Sequence, residues 1–357
     1  MKRLTIIFFV SLFTLTLSAV SKDKPQNLII FIGDGMGVAQ VYAGMTASGY
    51  TMTFPSFPVT GFSITYSTNS YITDSAAGGT AIATGSKTNN RMIAMTPDSV
   101  AITTILEIAK AKGMSTGVVC TSSLTDATPA SFSLHATSRF NYFKIAEGYL
   151  NGTVDFLCGG GKNDFTGRND SVDVAAKMAA KGYDVVYTLK DLMKSSSDRI
   201  VGLLSDQDMP LISAGRDTDY LSSATSKAIS VLSRNPKGFI LLVEGSEIDD
   251  GGHSNSLSVT IDEVLDMDRA VKVAYNFAKE KNNTLIVVTA DHETGGLTLT
   301  GGSVEGKTVT GAYSTIGHTA VMVPVFAYGP GSLLFTGVHQ NKDLFNLFTD
   351  LLFLKKK

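Results

Sequence analysis

Apolar runs of strand length recur along the chain and dominate its hydrophobic pattern. The six clearest are Asn27–Ile32, Gly117–Thr121, Val154–Cys158, Phe239–Val243, Thr284–Thr289 and Val323–Tyr328. Hydrophobicity within each run is nearly continuous rather than alternating. This pattern is typical of strands that are covered on both faces, as in a parallel sheet.

Helical patterns lie between these runs. The segment Ser99–Lys112 places apolar residues at helical spacing and is followed by Gly113, a natural helix stop. The segments Leu221–Ser233 and Ser258–Lys281 behave similarly. Because strands alternate with helices, we predict a doubly wound α/β fold with a mostly parallel central sheet flanked by helices.

Polar side chains follow several of the predicted strands. Asp34, Glu244 and Asp291 each come directly after an apolar run or at its end, and Asp126 follows another by a few residues. In open parallel sheets, the loops beyond the strand C-termini converge on the ligand site. The sequence therefore predicts that these distant residues meet at that edge of the sheet.

Composition narrows the class of protein. With 357 residues, of which 43% are hydrophobic, the chain can bury a large core. We predict one α/β domain over residues 22–357, with residues 159–215 as a peripheral excursion. Charged residues make up only 17%, the net charge is −2, and no basic run lies inside the body of the chain, which disfavours a nucleic-acid partner.

The N-terminus has the pattern of a secretory signal. Lys2 and Arg3 precede the apolar stretch Leu4–Leu17, and small residues follow at Ser18, Ala19 and Ser21. We predict a signal peptide at residues 1–21 and a periplasmic or secreted protein without membrane contact after cleavage. A retained membrane anchor is the alternative interpretation, although a spanning helix needs about 20 apolar residues.

The two cysteines and the C-terminus leave alternatives open. Cys120 and Cys158 each end an apolar run, and export permits a disulfide between them, but two buried thiols fit equally well. The final residues Leu351–Lys357 fit a last amphipathic helix with a solvated tail better than a membrane contact.

The segment Thr73–Ala81 is a run of small residues around a serine. A helix beginning here would place Ser75 at its N-terminus, where backbone N–H groups favour an anion. A metal ion on its hydroxyl oxygen would lower the pKa and create a nucleophile. Alternatively, Thr73 or Asp74 is an ordinary N-cap. The following Gly78 and Gly79 are unfavourable in a helix unless another segment packs closely.

The chain has five histidines, and three of them, His253, His292 and His318, lie in the remaining polar blocks. Asp249 and His253 stand four residues apart, so a helical turn would direct both toward one ion. Asp291 and His292 follow a strand, and His318 lies beyond them. Chance acidic clustering on a surface loop explains the carboxylates but not the histidines.

Together and in this order, the polar blocks closely resemble the alkaline phosphatase family. The resemblance runs from about Asn27 to Pro330. The motifs that carry it are Asp34, TDSAA at 73–77, TDATPA at 125–130, HATSR at 135–139, EGSEIDDGGH at 244–253, TADHETGG at 289–296, and GHTA at 317–320 before VPVFAYGPG.

The resemblance implies a site for two zinc ions and one magnesium ion. Asp249, His253 and His318 match the ligands of the first zinc. Asp34, Asp291 and His292 match those of the second, which also holds Ser75. Asp34, Thr128 and Glu244 match the magnesium ligands, with Asp126 beside them. Arg139 matches the group that clamps the phosphate, and His135, one helical turn earlier, is predicted to be a neighbour rather than a catalyst.

The resemblance further implies hydrolysis of phosphate monoesters through a phosphoserine at Ser75. Relatives often carry Lys, His or Trp where this chain has Asp250, so we predict weaker binding of product phosphate and altered magnesium affinity. Only 25 residues separate His292 from His318, which leaves little room for a large insertion. A homodimer is possible.

Two rival interpretations remain. A phosphodiesterase, phosphonate hydrolase or sulfatase of the same superfamily would keep the metal core and change the substrate. An exported metal- or phosphate-binding protein would bind cations without turnover.

Overall fold

The structure is a computed structural model that describes residues 24–352. The predicted signal peptide at residues 1–21 and the lysine tail at 355–357 lie outside the described residues. Within them, no helix is both long enough and apolar enough to cross a bilayer.

Strands and helices alternate through most of the chain. The strands are β1 Asn27–Gly33, β2 Val59–Ile64, β3 Ser115–Ser123, β4 Phe156–Gly160, β5 Asp184–Val186, β6 Ile200–Leu203, β7 Phe239–Gly245, β8 Thr284–Thr289, β9 Glu293–Thr294, β10 Leu297–Ser303, β11 Thr308–Tyr313, β12 His318–Thr319, β13 Val323–Tyr328 and β14 Gly337–Gln340.

The helices are α1 Val38–Ala47, α2 Ser75–Thr84, α3 Ile105–Ala111, α4 Ala127–Ser133, α5 Tyr142–Gly148, α6 Lys162–Phe165, α7 Val174–Ala180, α8 Leu189–Lys194, α9 Tyr220–Leu232, α10 Ile248–His253, α11 Leu257–Lys281 and α12 Asn341–Leu351. Short 3-10 turns occur at Phe54–Ser56, Tyr149–Asn151, Ile212–Ala214 and Ser332–Phe335.

Ten of these strands form the central sheet in the order β14-β2-β13-β8-β1-β7-β3-β4-β6-β5. The central strand β1 is parallel to both of its neighbours, β7 and β8. Strand β13 runs antiparallel to β8 and to β2. The predicted mostly parallel sheet flanked by helices is therefore confirmed.

Successive residues of β1 enter different cores, which explains its unbroken hydrophobicity. Leu28, Ile30 and Ile32 pack in one apolar cluster with α2, α3, α4 and α12. Ile29 and Phe31 pack in a second cluster with α1, α9 and α11 on the opposite face. All five side chains are fully buried. Burial of apolar surface on both faces holds the central strands, and the residues that follow them, in fixed positions.

Two predicted boundaries are wrong in instructive ways. The helix predicted over Ser99–Lys112 begins only at Ile105, because Thr104 and Glu107 form a reciprocal capping box that sets its start. Ser99 has a φ of 63°, outside the helical region. The strand predicted at Val154–Cys158 lies two residues later, at Phe156–Gly160.

The segment 159–215 contributes β5 and β6 to one edge of the central sheet. Cys120 and Cys158, whose pairing the sequence left open, are buried free thiols.

Candidate functional site

Three acidic residues meet where β1, β7 and β8 end. Ile32 of β1 is in register with Glu244 on one side and with Thr289 on the other. Asp34 lies two residues after Ile32, and Asp291 lies two residues after Thr289. The parallel register therefore brings together carboxylates that lie more than 200 residues apart in sequence, as the strand pattern predicted.

The glycines around Asp34 make room for other parts of the site. Gly35 has a φ of +68°, and a Cβ placed there would lie 2.7 Å from Asp249 Oδ1 and 2.8 Å from Thr294 Oγ1. A Cβ at Gly37 would collide with the side chain of Glu293. The Gly33–Gly37 turn is therefore shaped by close approach as well as by backbone conformation.

Ser75 is the first residue of α2, as predicted. Asp74 is the N-cap, and its Oδ1 accepts a 3.0 Å hydrogen bond from the Ala77 amide. The Ser75 hydroxyl is buried and lies 3.2 Å from His292 Nε2. A Cβ at Gly78 would lie 3.0 Å from the Asp291 carbonyl oxygen, so a glycine here lets α2 approach the Asp291 segment.

Arg139 lies over the same hydroxyl. Its Nη1 donates to Ser75 Oγ at 3.3 Å and its Nη2 donates to Asp126 Oδ1 at 2.9 Å. Residues 134–140 form a β-bridge and turns, so the helical relation expected between His135 and Arg139 is wrong. The ring nitrogens of His135 contact the Ala94 carbonyl and Glu107, which leaves neither directed at Ser75.

Candidate cation ligands form two adjoining groups. Ligand atoms of Asp34, Asp291 and His292 lie within 4.8 Å of one another, and so do those of Asp249, His292 and His318. His253 joins the second group, since its Nε2 lies 3.0 Å from Asp249 Oδ2. The rings of His292 and His318 stack with centroids 3.6 Å apart. Below, these groups are called the inner pocket (Asp34, Asp291, His292) and the outer pocket (Asp249, His253, His318).

Backbone carbonyls orient both outer histidines. His253 Nδ1 lies 2.6 Å from the Ile316 carbonyl oxygen, and His318 Nδ1 lies 2.9 Å from that of Thr73. A carbonyl can only accept, so each Nδ1 carries the proton in a neutral ring. In the neutral ring, Nε2 of each histidine then carries the lone pair, which is the form that binds a metal ion. Without an ion, His253 Nε2 instead carries a proton directed at Asp249 Oδ2, 3.0 Å away, and this proton must leave before a metal ion binds.

Several buried oxygens around Asp34 lack a hydrogen-bond partner. Among the described residues they include Asp34 Oδ1, Thr128 Oγ1, Glu244 Oε1 and Asp291 Oδ2. The other oxygen of Glu244 accepts from the Ser246 hydroxyl at 2.7 Å. Buried polar atoms without partners are unfavourable. Oxygen donors that converge in this way suit divalent cations, with magnesium favoured where all ligands are oxygen.

The ionisation of these groups reflects crowded negative charge. Burial, followed by Asp291 and Asp249, raises the pKa of Asp34 well above its usual value. Burial and Asp126 raise the pKa of Glu244 to about 8. Burial and Asp249 raise that of Asp291 to about 7. Without compensating cations, the site resists full ionisation at neutral pH.

The outer pocket behaves differently because histidines surround its carboxylate. Burial opposes ionisation of Asp249, but the hydrogen bond from His253 and the nearby His292 and His318 outweigh it, so its pKa is lowered. The same hydrogen bond raises the pKa of His253 to about 9. In this structure the pair is an ion pair.

A cleft of about 470 Å³ opens beside Arg139, Asp126 and Asp249. Asp250 and Asp126 both line it. The excursion 159–215 contributes further wall residues: Asn163, Asp164, Asp206, Gln207 and Asp208.

Two residues that support the candidate ligands, Thr294 and Glu293, were not predicted from the sequence. Thr294 contacts both Asp249 and His292 through one hydroxyl. Glu293 accepts hydrogen bonds from Gln40 and Thr319, and so joins the segments that carry Asp34, His292 and His318. Their position inside TADHETGG was the available signal, but no spacing rule assigns them a contact.

Comparisons with known proteins agree on one family. The family model described as "Alkaline phosphatase" matches residues 25–315. Alkaline phosphatase 3 of Bacillus subtilis (strain 168) is 39% identical over 294 residues, which cover 78% of this chain and 63% of that protein. The chain thus spans less than two thirds of that relative's length.

The solved structure of alkaline phosphatase from the Antarctic bacterium TAB5 superposes with a TM-score of 0.89 at 39% identity, covering 94% of this chain and 99% of that one. A mutant of the same enzyme, with magnesium bound in its M3 site, gives a TM-score of 0.88. On the family match and these relatives, the chain belongs to the alkaline phosphatase family.

Proposed function

We propose that this protein hydrolyses phosphate monoesters through a phosphoserine at Ser75, with two zinc ions and one magnesium ion bound beside it. One observation carries the proposal: the buried Ser75 hydroxyl lies at a helix N-terminus, between Arg139 Nη1 at 3.3 Å and His292 Nε2 at 3.2 Å. Family membership supports the same conclusion.

The donor sets fit the three ions. The outer pocket offers one carboxylate and two Nε2 lone pairs, a set typical of zinc. The inner pocket offers two carboxylates and His292, with Ser75 adjacent. Asp34, Thr128 and Glu244 supply the unpartnered oxygens that fit magnesium. The relative with magnesium in its M3 site is consistent with a third ion.

The protein's own residues then carry out the displacement. When bound, the ions lower the pKa of the hydroxyl and neutralise charge on the transferring group. Ser75 Oγ attacks phosphorus, the P–O bond to the ester alcohol breaks, and the departing alkoxide takes up a proton to leave as the alcohol, in balance with the proton that Ser75 loses. Water then attacks the phosphoserine, the P–Oγ bond breaks, and inorganic phosphate leaves while a proton from the water restores the Ser75 hydroxyl. Arg139 holds two non-bridging oxygens bidentately, and its hydrogen bond to Asp126 fixes the guanidinium plane. The amides of α2 favour the anionic phosphoryl group.

Monoesters fit this arrangement better than diesters or sulfates. A monoester presents three non-bridging oxygens with up to two negative charges. Arg139, the N-terminus of α2 and the two cation pockets all converge on that group. A diester or sulfate carries one charge and would use this electrostatic field less fully.

Metal removal and add-back test the proposal. Nitrophenyl phosphate should be hydrolysed rapidly, and nitrophenyl sulfate and a bis-nitrophenyl diester at least about 100-fold more slowly. Chelation should abolish turnover, and zinc plus magnesium should restore it. Preference for the diester or the sulfate would favour the superfamily alternatives. Cation binding without turnover would favour a binding protein.

Asp250 gives a second prediction, about product release. Asp250→Lys exchanges a negative for a positive charge in the cleft, so we expect inorganic phosphate to inhibit roughly three- to tenfold more tightly. Magnesium affinity should also change. Glu305→Lys, an equal charge change in the exposed β10–β11 turn, is the matched control and should leave phosphate inhibition unchanged. Unaltered phosphate inhibition in Asp250→Lys would show that Asp250 does not govern release.

We also propose that the protein is exported, because residues 2–17 have the charged and apolar pattern of a secretory signal. A periplasmic or secreted location would place the enzyme where esters are cleaved before uptake. Homodimerisation remains a prediction.

A further inference from the structure

We propose that Thr294 is a positioning residue whose single hydroxyl links the inner and outer pockets, because it accepts a hydrogen bond from His292 while it donates one to Asp249. This inference rests on the proposed function, since it assumes that both pockets bind cations. It assigns Thr294 a role that the motif alone does not indicate.

Thr294 is held rigidly in place. Its side chain is fully buried, its amide donates to the Gly35 carbonyl at 3.1 Å, and its carbonyl accepts from Gln40 Nε2 at 2.9 Å. A Cβ at Gly35 or at Gly252 would lie 2.8 Å from Thr294 side-chain atoms. The hydroxyl thus has a fixed position, and only its hydrogen is free to rotate.

Two cation-pocket residues compete for that hydroxyl. Its Oγ1 donates to Asp249 Oδ1 and lies 3.2 Å from His292 Nδ1. A carboxylate can only accept, so the hydroxyl hydrogen points at Asp249 whenever this bond is formed. The oxygen then remains as an acceptor for His292, which requires the proton of that ring to be on Nδ1.

The other two histidines show why this matters. His253 and His318 place Nδ1 against backbone carbonyls, which enforce the Nδ1–H form unconditionally. His292 has a hydroxyl instead, and a hydroxyl either accepts or donates. On the Nδ1 side, the tautomer of His292 is therefore set indirectly, by the carboxylate on the far side of Thr294.

The chain of bonds makes the two pockets interdependent. With no cation present, the proton of His292 can sit on Nε2, which lies 3.3 Å from both Asp34 Oδ1 and Asp291 Oδ2. Nδ1 then needs a donor, and Thr294 must turn its hydrogen away from Asp249. With Nε2 occupied as a ligand, the proton of His292 would lie on Nδ1, and Thr294 could again donate its hydrogen to Asp249 and orient that carboxylate for the outer pocket.

Zinc titration of variants tests the inference without relying on turnover. Thr294→Val keeps the shape but can neither donate nor accept, so we expect both zinc equivalents to bind about 10- to 100-fold more weakly in competition with a chromophoric chelator. Thr294→Ser restores the hydroxyl and should bind zinc nearly as the unaltered protein does. Thr116→Val removes another buried threonine hydroxyl, bonded to the Thr153 carbonyl at the opposite end of β3, and should not change zinc affinity.

The outcomes separate the inference from the function on which it rests. A folded Thr294→Val variant that binds both equivalents normally, or loses affinity for one alone, overturns the link. Failure of the unaltered protein to bind zinc overturns the proposed site and this inference with it. Should Thr294→Val not fold, Thr294→Ala removes the same hydroxyl and is titrated in the same way: weaker binding of both zinc equivalents supports the link, and normal binding of either one refutes it.

Discussion

Replacing Ser75 with alanine is expected to lower kcat/KM for nitrophenyl phosphate by roughly 10³- to 10⁶-fold. The hydroxyl is the one nucleophile within reach of Arg139 and His292 in the described site. Its removal forces direct attack by water and eliminates the two-step path. Zinc binding should persist, because the carboxylate and imidazole ligands are untouched.

Ser131→Ala is the matched control. Its hydroxyl is equally buried and donates to the Ala76 carbonyl at 3.2 Å, one residue from the nucleophile, but it contacts no candidate ligand. It should cost about 1 kcal/mol of stability and leave turnover intact. Acid quenching with radiolabelled substrate should trap label on the unaltered protein and none on Ser75→Ala. Near-normal turnover by Ser75→Ala would rule out the phosphoserine path.

The sequence predicted the site well where the chain is most regular. Asp34 and Asp291 follow central strands whose apolar residues are buried on both faces. The continuous apolar runs therefore predicted that both aspartates lie at the C-terminal edge of the sheet. Asp249 and His253 lie on one short helix, and spacing alone placed them together. Ser75 was predictable because small residues and an N-cap mark a helix start.

Prediction failed where tertiary contacts decide local structure. The apolar pattern extends upstream of Ile105, but the hydrogen bonds between Thr104 and Glu107 make Ile105 the first residue of the helix. Arg139 lies in a turn, and its amide donates to the Arg91 carbonyl at 2.8 Å, a contact between segments that no local rule anticipates. Likewise, the direction of β13 depends on pairing with β2, far away in the sequence.

The carboxylates that are candidate cation ligands also lower the stability of the metal-free fold. Asp34, Glu244 and Asp291 gather at a buried point where burial and mutual repulsion raise each pKa. Such groups destabilise the metal-free fold once they ionise. The same crowded negative charge attracts cations. The residues that destabilise the metal-free protein are therefore those that would bind its ions.

Asp34→Asn should therefore raise the stability of the chelated protein while destroying its function. A carboxyl group whose folded pKa is raised contributes stability that is fully present below its unfolded pKa, about 4, and lost as pH rises through the folded value. An amide has no such loss. In chelator, the variant should thus match the unaltered protein near pH 4.5 and melt several degrees higher at pH 8, a difference of about 2–8 °C.

With metals restored the order should invert, because Asp34 belongs to the inner pocket and, like Thr128 and Glu244, carries a buried oxygen without a hydrogen-bond partner. Asp34→Asn should bind zinc at least about 100-fold more weakly and lose nearly all turnover. Asp268→Asn is the matched control: this buried carboxylate accepts from the Thr53 and Phe54 amides, so its change should lower stability and leave zinc affinity unaltered. A chelated Asp34→Asn protein that is less stable than the unaltered one at pH 8 would show that charge repulsion does not dominate this site.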